Sequence, residues 1–179
     1  MFGYIAKFIL NDYLTNLKSE IIFNQDDLLI AGQQIKEERL TAWYSDYDYS
    51  YVYGGKTMNS NKMTKTLKKI QFAIELKYGI YFDSVLINYY KDGNSGMRYH
   101  SDATYNEWHQ ESVVVSFGSS RKIIFREINN FDNKTNIIMN SGDLLYMKEG
   151  CQDIYQHRVT KDKSISDERV SLVFKKHFK

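Results

Sequence analysis

Downstream of Ser84 the chain falls into short apolar runs separated by clusters of turn residues, and within those runs apolar and polar positions alternate. A period of two predicts β-strands. In the last run, Glu168-Arg169-Val170-Ser171-Leu172-Val173-Phe174-Lys175-Lys176, one face holds Val170, Leu172 and Phe174. The other face holds Arg169, Ser171, Val173 and Lys175. In Val85-Leu86-Ile87-Asn88-Tyr89-Tyr90, the residues Leu86, Asn88 and Tyr90 share a side. Asp92-Gly93-Asn94-Ser95-Gly96, the stretch 129–133 and Asn140-Ser141-Gly142-Asp143 read as turns. The chain has no proline, so Gly, Asn, Asp and Ser must make them. The first half has a different period. A helix is expected around Asp12 to Ser19 and a longer one from Asn61 to Tyr78, where Met63, Leu67, Ile70 and Ile74 recur at helical spacing and Gly79 supplies a stop. Lys62, Lys65, Lys68 and Lys69 fall on its opposite face, which reads as solvated.

Composition narrows the class. The length of 179 residues fits one domain with a substantial core. A single cysteine, Cys151, excludes an internal disulfide and fits a reducing compartment, so an intracellular location in cytoplasm or nucleus is expected. The run Phe2 to Leu10 lacks a basic leader and reads as core packing, and no stretch approaches the ~20 apolar residues of a membrane span. A formal charge of +2 is too small for a global attractive field, so any nucleic-acid binding must rest on local clusters.

The chemistry concentrates in three residues. His100 and Asp102 stand two apart, so on a strand both point to one face, and His157 lies far enough downstream to come from another strand. Two imidazoles and one carboxylate on one face of an octahedral Fe(II) leave three positions for a chelating co-substrate and O2. An isolated H-x-D is as readily a pair of ordinary surface or core residues. The paired cations Arg169 and Lys175 call for an anion such as a dicarboxylate, with Asn88 and Tyr90 as hydrogen-bonding partners. A solvated edge strand is the alternative.

Taken together, the stretches LINYYKDGNSGMRYHSD, VVVSFGSSRKIIFRE, SGDLLYM, YQHRV and ERVSLVFK, which cover most of residues 84 to 176, resemble the AlkB family of Fe(II)/2-oxoglutarate dioxygenases. Upstream, LTAWYSDYDYSYVYGG at 40 to 55 is similar to the nucleotide-recognition lid of the branch that repairs alkylated nucleic acid. The resemblance implies an α+β fold, a double-stranded β-helix or jelly roll buttressed by N-terminal helices, with a lid at about 40–60 and the catalytic jelly roll at about 84–176 of a single domain, 1–179. It implies His100, Asp102 and His157 as iron ligands, and Asn88, Tyr90, Arg169, Ser171 and Lys175 around 2-oxoglutarate. It also implies Trp43, Tyr44, Tyr51, Tyr53 and Thr104 as contacts to a flipped base. The implied reaction couples decarboxylation of 2-oxoglutarate to oxidation of an N-methyl group, as in N1-methyladenine or N3-methylcytosine, releasing succinate, CO2 and formaldehyde. A monomer acting on alkylated DNA or RNA is expected.

Two positions depart from the family. Its closing strand usually reads R-x-N-x-T-x-R, whereas Arg169, Ser171, Val173 and Lys175 stand here, and Lys175 lacks the bidentate geometry of arginine. Thr104 occupies a place where the repair branch carries an acid. Arg98, Arg121, Lys122, Arg126 and Arg158 are candidate phosphate contacts. The competing readings are a hydroxylase or demethylase of a protein or small molecule, distinguished by lid aromatics without a basic rim, and a non-catalytic binding module, which would have no need of all three ligands.

Overall fold

A computed structural model describes residues 1–105 and 107–178, with Ile30 described by its backbone alone. The chain runs β1 (Phe2–Ile5), α1 (Leu14–Glu20), β2 (Asp27–Ile30), β3 (Gln33–Lys36), β4 (Leu40–Ser45), β5 (Tyr51–Tyr53), β6 (Lys56–Met58), β7 (Asn61–Lys62) and α2 (Lys65–Tyr78). It continues through β8 (Ser84–Tyr90), β9 (Met97–His100), β10 (Trp108–Gly118), β11 (Arg121–Glu127), β12 (Lys134–Met139), β13 (Leu144–Met147), α3 (Cys151–Ile154), β14 (Tyr155–Val159) and β15 (Arg169–His177).

Two sheets carry the architecture. The larger has seven strands in the order β1-β13-β10-β15-β8-β4-β7, antiparallel except between β4 and β7. The smaller has four in the order β12-β11-β14-β9, and the pairs β2-β3 and β5-β6 form separate ribbons. The last strand of the sequence, β15, is thus the middle strand of the large sheet. Covered on both sides, it buries both halves of its alternation. Val170, Leu172 and Phe174 pack with Leu67, Ile70 and Ile74 of α2 and Leu17 of α1, each worth about 1.5–3 kcal/mol relative to exposure. Its other face looks into the space between the sheets. There Val114 and Leu145 of the large sheet meet Ile123 and Phe125 of the small one, with Met139 and Val159. Two facing antiparallel sheets form the jelly-roll arrangement.

The molecule is mostly β, with few helices, so the helical share expected of an α+β fold contracts. α2 begins at Lys65 and not at Asn61, because Asn61 and Lys62 pair with β4 instead. Lys62 therefore leaves the helical lysine face. The helix starts where the Thr64 hydroxyl accepts a hydrogen bond from the Leu67 N–H, and it stops at Gly79 in the left-handed conformation, as its sequence predicts. Among the described residues no helix is long and apolar enough to cross a membrane.

One glycine fixes the entrance of β15. Gly118 has φ +92, and a Cβ there would lie 2.4 Å from the carbonyl oxygen of Glu168, in the register pair that aligns Gly118 with Arg169. Gly118→Ala is therefore expected to cost about 1–3 kcal/mol through left-handed strain and steric displacement, read as a lowered urea midpoint with an unchanged m value. Because the displaced carbonyl is that of Glu168, immediately before Arg169, the loss of stability should be accompanied by a shift at the start of β15.

Candidate metal and co-substrate site

The inter-sheet space contains a cavity of about 490 Å³, counting the part open to solvent, and its walls include Asn88, Tyr90, His100, Asp102, His157 and Arg169. All but Asp102, which follows the end of β9, arrive by strand periodicity. On β8 and β15 the register pairs Arg169 with Tyr90 and Ser171 with Asn88, which puts four polar side chains side by side on the inner face of the large sheet. On the small sheet the register sets His157 of β14 opposite His100 of β9.

His100, Asp102 and His157 form a cluster whose ligand atoms all lie within 4.8 Å of one another. His100 Nε2 and His157 Nε2 stand 3.6 Å and 3.7 Å from Asp102 Oδ1. His100 Nδ1 faces the Arg98 carbonyl oxygen at 2.8 Å. With the Nδ1 proton donated there, Nε2 is left as a lone pair for a cation. Burial, with the neighbouring His100 charge, pushes His157 down to about 3, so its ring is neutral at physiological pH, as a ligand must be. Burial alone would raise Asp102, but Lys175 and the two histidines hold its carboxyl well below the ordinary range. The donor set and its protonation therefore suit a divalent transition metal.

The far end of the cavity suits an anion. Arg169 is fully buried. Its Nη2 donates to the Ser116 hydroxyl at 2.7 Å, while Nε and Nη1 are buried without a hydrogen-bond partner among the described residues. Burial pushes this guanidinium down to about 10, which still leaves it charged at neutral pH. Tyr90 lies beneath both Arg169 and Arg121, with the guanidinium carbons 5.3 and 5.4 Å from the ring centre. A buried cation with two unused donors is costly unless a carboxylate meets it.

Lys175 does not join Arg169. Six residues along one strand separates them by ~20 Å, and the Lys175 ammonium donates to Asp102 Oδ2 at 3.1 Å. Burial would lower its pKa, but Asp102 and the Tyr51 hydroxyl raise it. Lys175 thus balances the charge of the candidate metal ligand, whereas the sequence pattern put it with Arg169 around one anion.

The aromatic lid residues also divide. Trp43 and Tyr44 belong to β4 inside the large sheet and are 1% and 3% exposed. Trp43 stacks on Tyr51 and donates from Nε1 to the Tyr49 carbonyl. Tyr44 packs on the helix side, and its hydroxyl accepts from the Ile22 N–H. Strand alternation sends these neighbours to opposite faces, and protein covers both rings. Tyr51 is likewise buried against Trp43. Tyr53 remains half-exposed on the β5-β6 ribbon and donates to Glu37 Oε1 at 2.6 Å. Thr104 is half-buried in the segment joining β9 to β10, where its carbonyl accepts from Glu107 and Trp108 N–H. Arg121 is buried too, spending its guanidinium on the carbonyls of Asp92, Ser95 and Thr160, so it is a structural clamp with no phosphate in reach.

Two residues of the site escape sequence reasoning. Arg39 is buried and donates from Nε to Asn88 Oδ1 at 2.6 Å, which fixes the amide so that its NH2 is the free end. Its only signal is its position immediately before the Leu40 at which the aromatic lid begins. Gln152 accepts from the Asp102 backbone N–H at 2.9 Å and so pins the ligand-bearing segment to α3. No motif marks it.

Comparison with known proteins agrees with this geometry. A family model described as the 2OG-Fe(II) oxygenase superfamily matches residues 3–175. An uncharacterized protein of Acanthamoeba polyphaga mimivirus is 33% identical over 97% of this chain and 92% of its own length. Alpha-ketoglutarate-dependent dioxygenase alkB homolog 3 of Rattus norvegicus is 31% identical over 78% of this chain, and DNA oxidative demethylase ALKBH2 of Bos taurus is 27% identical over 82%. The chain spans about half the length of each of these two, 50% and 56%. The solved structure of OsALKBH1 superposes with a TM-score of 0.67 at 14% identity, covering 98% of this chain and 96% of that one, a likeness of fold.

Two outcomes follow from the geometry. Asp102→Ala should abolish Fe(II)-dependent succinate formation while the circular dichroism spectrum is retained, and normal turnover in that variant would remove the metal assignment. Arg169→Ala should raise the 2-oxoglutarate concentration for half-maximal rate about ten- to a hundred-fold, as expected for loss of a charge-assisted pair of about 1.5–3 kcal/mol.

Proposed function

As this chain belongs to the 2OG-Fe(II) oxygenase superfamily and is an Fe(II)/2-oxoglutarate-dependent dioxygenase of the AlkB family, using O2, we propose that it demethylates N-alkylated nucleic-acid bases. The substrates are of the N1-methyladenine and N3-methylcytosine class. The observation that carries this reading is the coexistence in one cavity of the His-Asp-His cluster and a buried guanidinium with two unused donors. One end would take a metal and the other a carboxylate, and a dicarboxylate spanning them is what 2-oxoglutarate chemistry requires.

In this reading His100, Asp102 and His157 hold the iron. Arg169 anchors one carboxylate of 2-oxoglutarate through Nε and Nη1. Asn88, held by Arg39, offers its NH2, and Tyr90 and Ser171 complete the wall. Lys175 keeps Asp102 ionised and oriented. Bound Fe(II) and 2-oxoglutarate supply the oxidising chemistry, in which O2 converts 2-oxoglutarate to succinate and CO2 and the N-methyl carbon to a hydroxymethyl that leaves as formaldehyde. The protein's own part is positioning and the exclusion of water by the apolar lining, Leu86, Val114, Ile123, Leu145 and Val173 among it. Residues 40–60 act as the lid and 84–176 as the catalytic jelly roll of one domain. Tyr53 and Thr104, both half-buried, are the substrate contacts in this reading. Trp43 and Tyr51 support the lid from behind, and Tyr44 packs in the helix-side core.

The deciding experiment is formaldehyde release from methylated oligonucleotides, compared across bases, between DNA and RNA, and between single and double strands. If succinate forms with 2-oxoglutarate but no methylated oligonucleotide yields formaldehyde, a protein or small-molecule substrate takes its place. Position 104 supplies a finer test. Threonine accepts a hydrogen bond but offers no charge to a cationic base, so Thr104→Asp should favour N1-methyladenine over neutral N3-methylthymine by about ten-fold, roughly 1.4 kcal/mol. Equal change on both bases would remove Thr104 from substrate selection.

A further inference from the structure

The outer face of the four-stranded sheet, behind the wall that carries the histidines, holds an arrangement of side chains that the cavity does not account for. Where His100 and His157 point inward, their strand neighbours Tyr99 and Arg158 point outward. Lys122, Ile124 and Arg126 of β11 and Lys134 and Ile138 of β12 complete that face through the registers of β11 with its two neighbours. It carries Lys122, Arg126, Lys134 and Arg158 at outward positions, and no acidic residue stands at an outward position of these strands. A face of one sign on a chain whose net charge is only +2 is a local concentration of charge.

The arginines are held ready for a ligand. Arg126 lies between two aromatic rings, 3.8 Å from the centre of Tyr99 and 4.0 Å from that of Phe131. Its hydrogen bonds go to the neutral amide oxygen of Gln156. Arg158 packs over the same Tyr99 ring at 4.8 Å, and its buried Nε has no partner. No carboxylate pairs with either guanidinium among the described residues. Stacking fixes their planes in advance, so less freedom is lost when an anion arrives. Phe131 is 53% exposed and Ile138 49% exposed on the same face. An open groove lined by Lys122, Ile124, Ile138, Arg158 and Lys161 continues it, with Asp162 at its end.

Cations beside one exposed ring, Phe131, match a single nucleic-acid strand, whose phosphates need the cations and whose bases can stack. We infer that this outer face is a track for the phosphodiester backbone of single-stranded nucleic acid, with Arg126 and Arg158, braced by Tyr99, as phosphate contacts and Phe131 as a stacking platform. The inference rests on the nucleic-acid reading of the cavity and gives it a second, sequence-independent binding surface. Because β9 is the edge strand of its sheet, a strand that crosses this edge passes from the iron cavity to the cationic face.

The test is fluorescence anisotropy of labelled, unmodified single-stranded DNA and RNA oligonucleotides against the full chain over a salt series, with formaldehyde release from a methylated oligonucleotide measured on the same wild-type preparation. R126Q/R158Q should weaken binding roughly ten-fold at low salt and flatten the slope of log K against log salt by about 1.4, the value for two lost contacts to a single strand. Phe131→Ala should weaken binding with the slope unchanged. K122E/K134E reverses two exposed side chains, is checked for a retained fold by circular dichroism, and should weaken binding at least as much. K65E/K69E on α2 should bind as wild type. If the sheet-face variants match wild type in affinity and slope while the wild type still releases formaldehyde, the track is wrong and the demethylase reading stands. If the α2 variant alone loses binding, the contact surface is α2 and the inference falls. If the wild type neither binds nor demethylates any oligonucleotide, both readings fall together.

Discussion

The central strand of the large sheet must bury a cationic face, and the rest of the site is arranged around that demand. β15 has Val170, Leu172 and Phe174 packed under the helices, and the same pleat forces Arg169, Ser171 and Lys175 into the space between the sheets. The desolvation of two such cations costs several kcal/mol each unless partners meet them. Lys175 finds its partner within the protein, in Asp102. Arg169 meets the Ser116 hydroxyl and the Tyr90 ring, and two of its donors have no hydrogen-bond partner among the described residues. The desolvation cost at that end of the cavity is one that a carboxylate ligand would offset.

The electrostatics at the other end are shared among four groups. Asp102 faces Lys175 and both histidines, which keeps it ionised despite its burial. His157 is driven to its neutral form by the same burial. A carboxylate that stays charged and an imidazole that stays neutral are the two protonation states that a divalent metal needs, so the site is prepared before any cation enters. Gln152 and Arg39 act one step behind, the first on the backbone of Asp102 and the second on the amide of Asn88.

The lid is tied to this site by a polar network. Glu37 accepts from Tyr53 and Lys56 of the β5-β6 ribbon and pairs with Arg39, which in turn holds Asn88. Glu37 and Arg39 are buried, so each depends on the others for its hydrogen bonds. A shift of the half-exposed Tyr53 is consequently felt at Asn88.

Much of this was legible in the chain itself. The alternation of β15 and β8 determined which side chains face the cavity, because the period of a strand is a local property, and H-x-D with a distant histidine determined a candidate ligand set, because ligand chemistry is a matter of residue type. The stop of α2 at Gly79 was also local, whereas its start at Thr64 followed from the pairing of Asn61 and Lys62 with β4. What a strand pattern cannot carry is its partner. Only the tertiary structure decided that Trp43 and Tyr44 are covered, since both faces of β4 are buried within the large sheet. Only it separated Lys175 from Arg169, since sharing a face does not mean sharing an end. Arg39, Gln152 and the outer face around Tyr99 owe their roles to residues far along the chain, brought close by strand order and register. The sequence by itself determined the chemistry available and the faces on which it lies; the packing of two sheets decided which of those groups meet, because desolvation and distance are properties of the assembled fold.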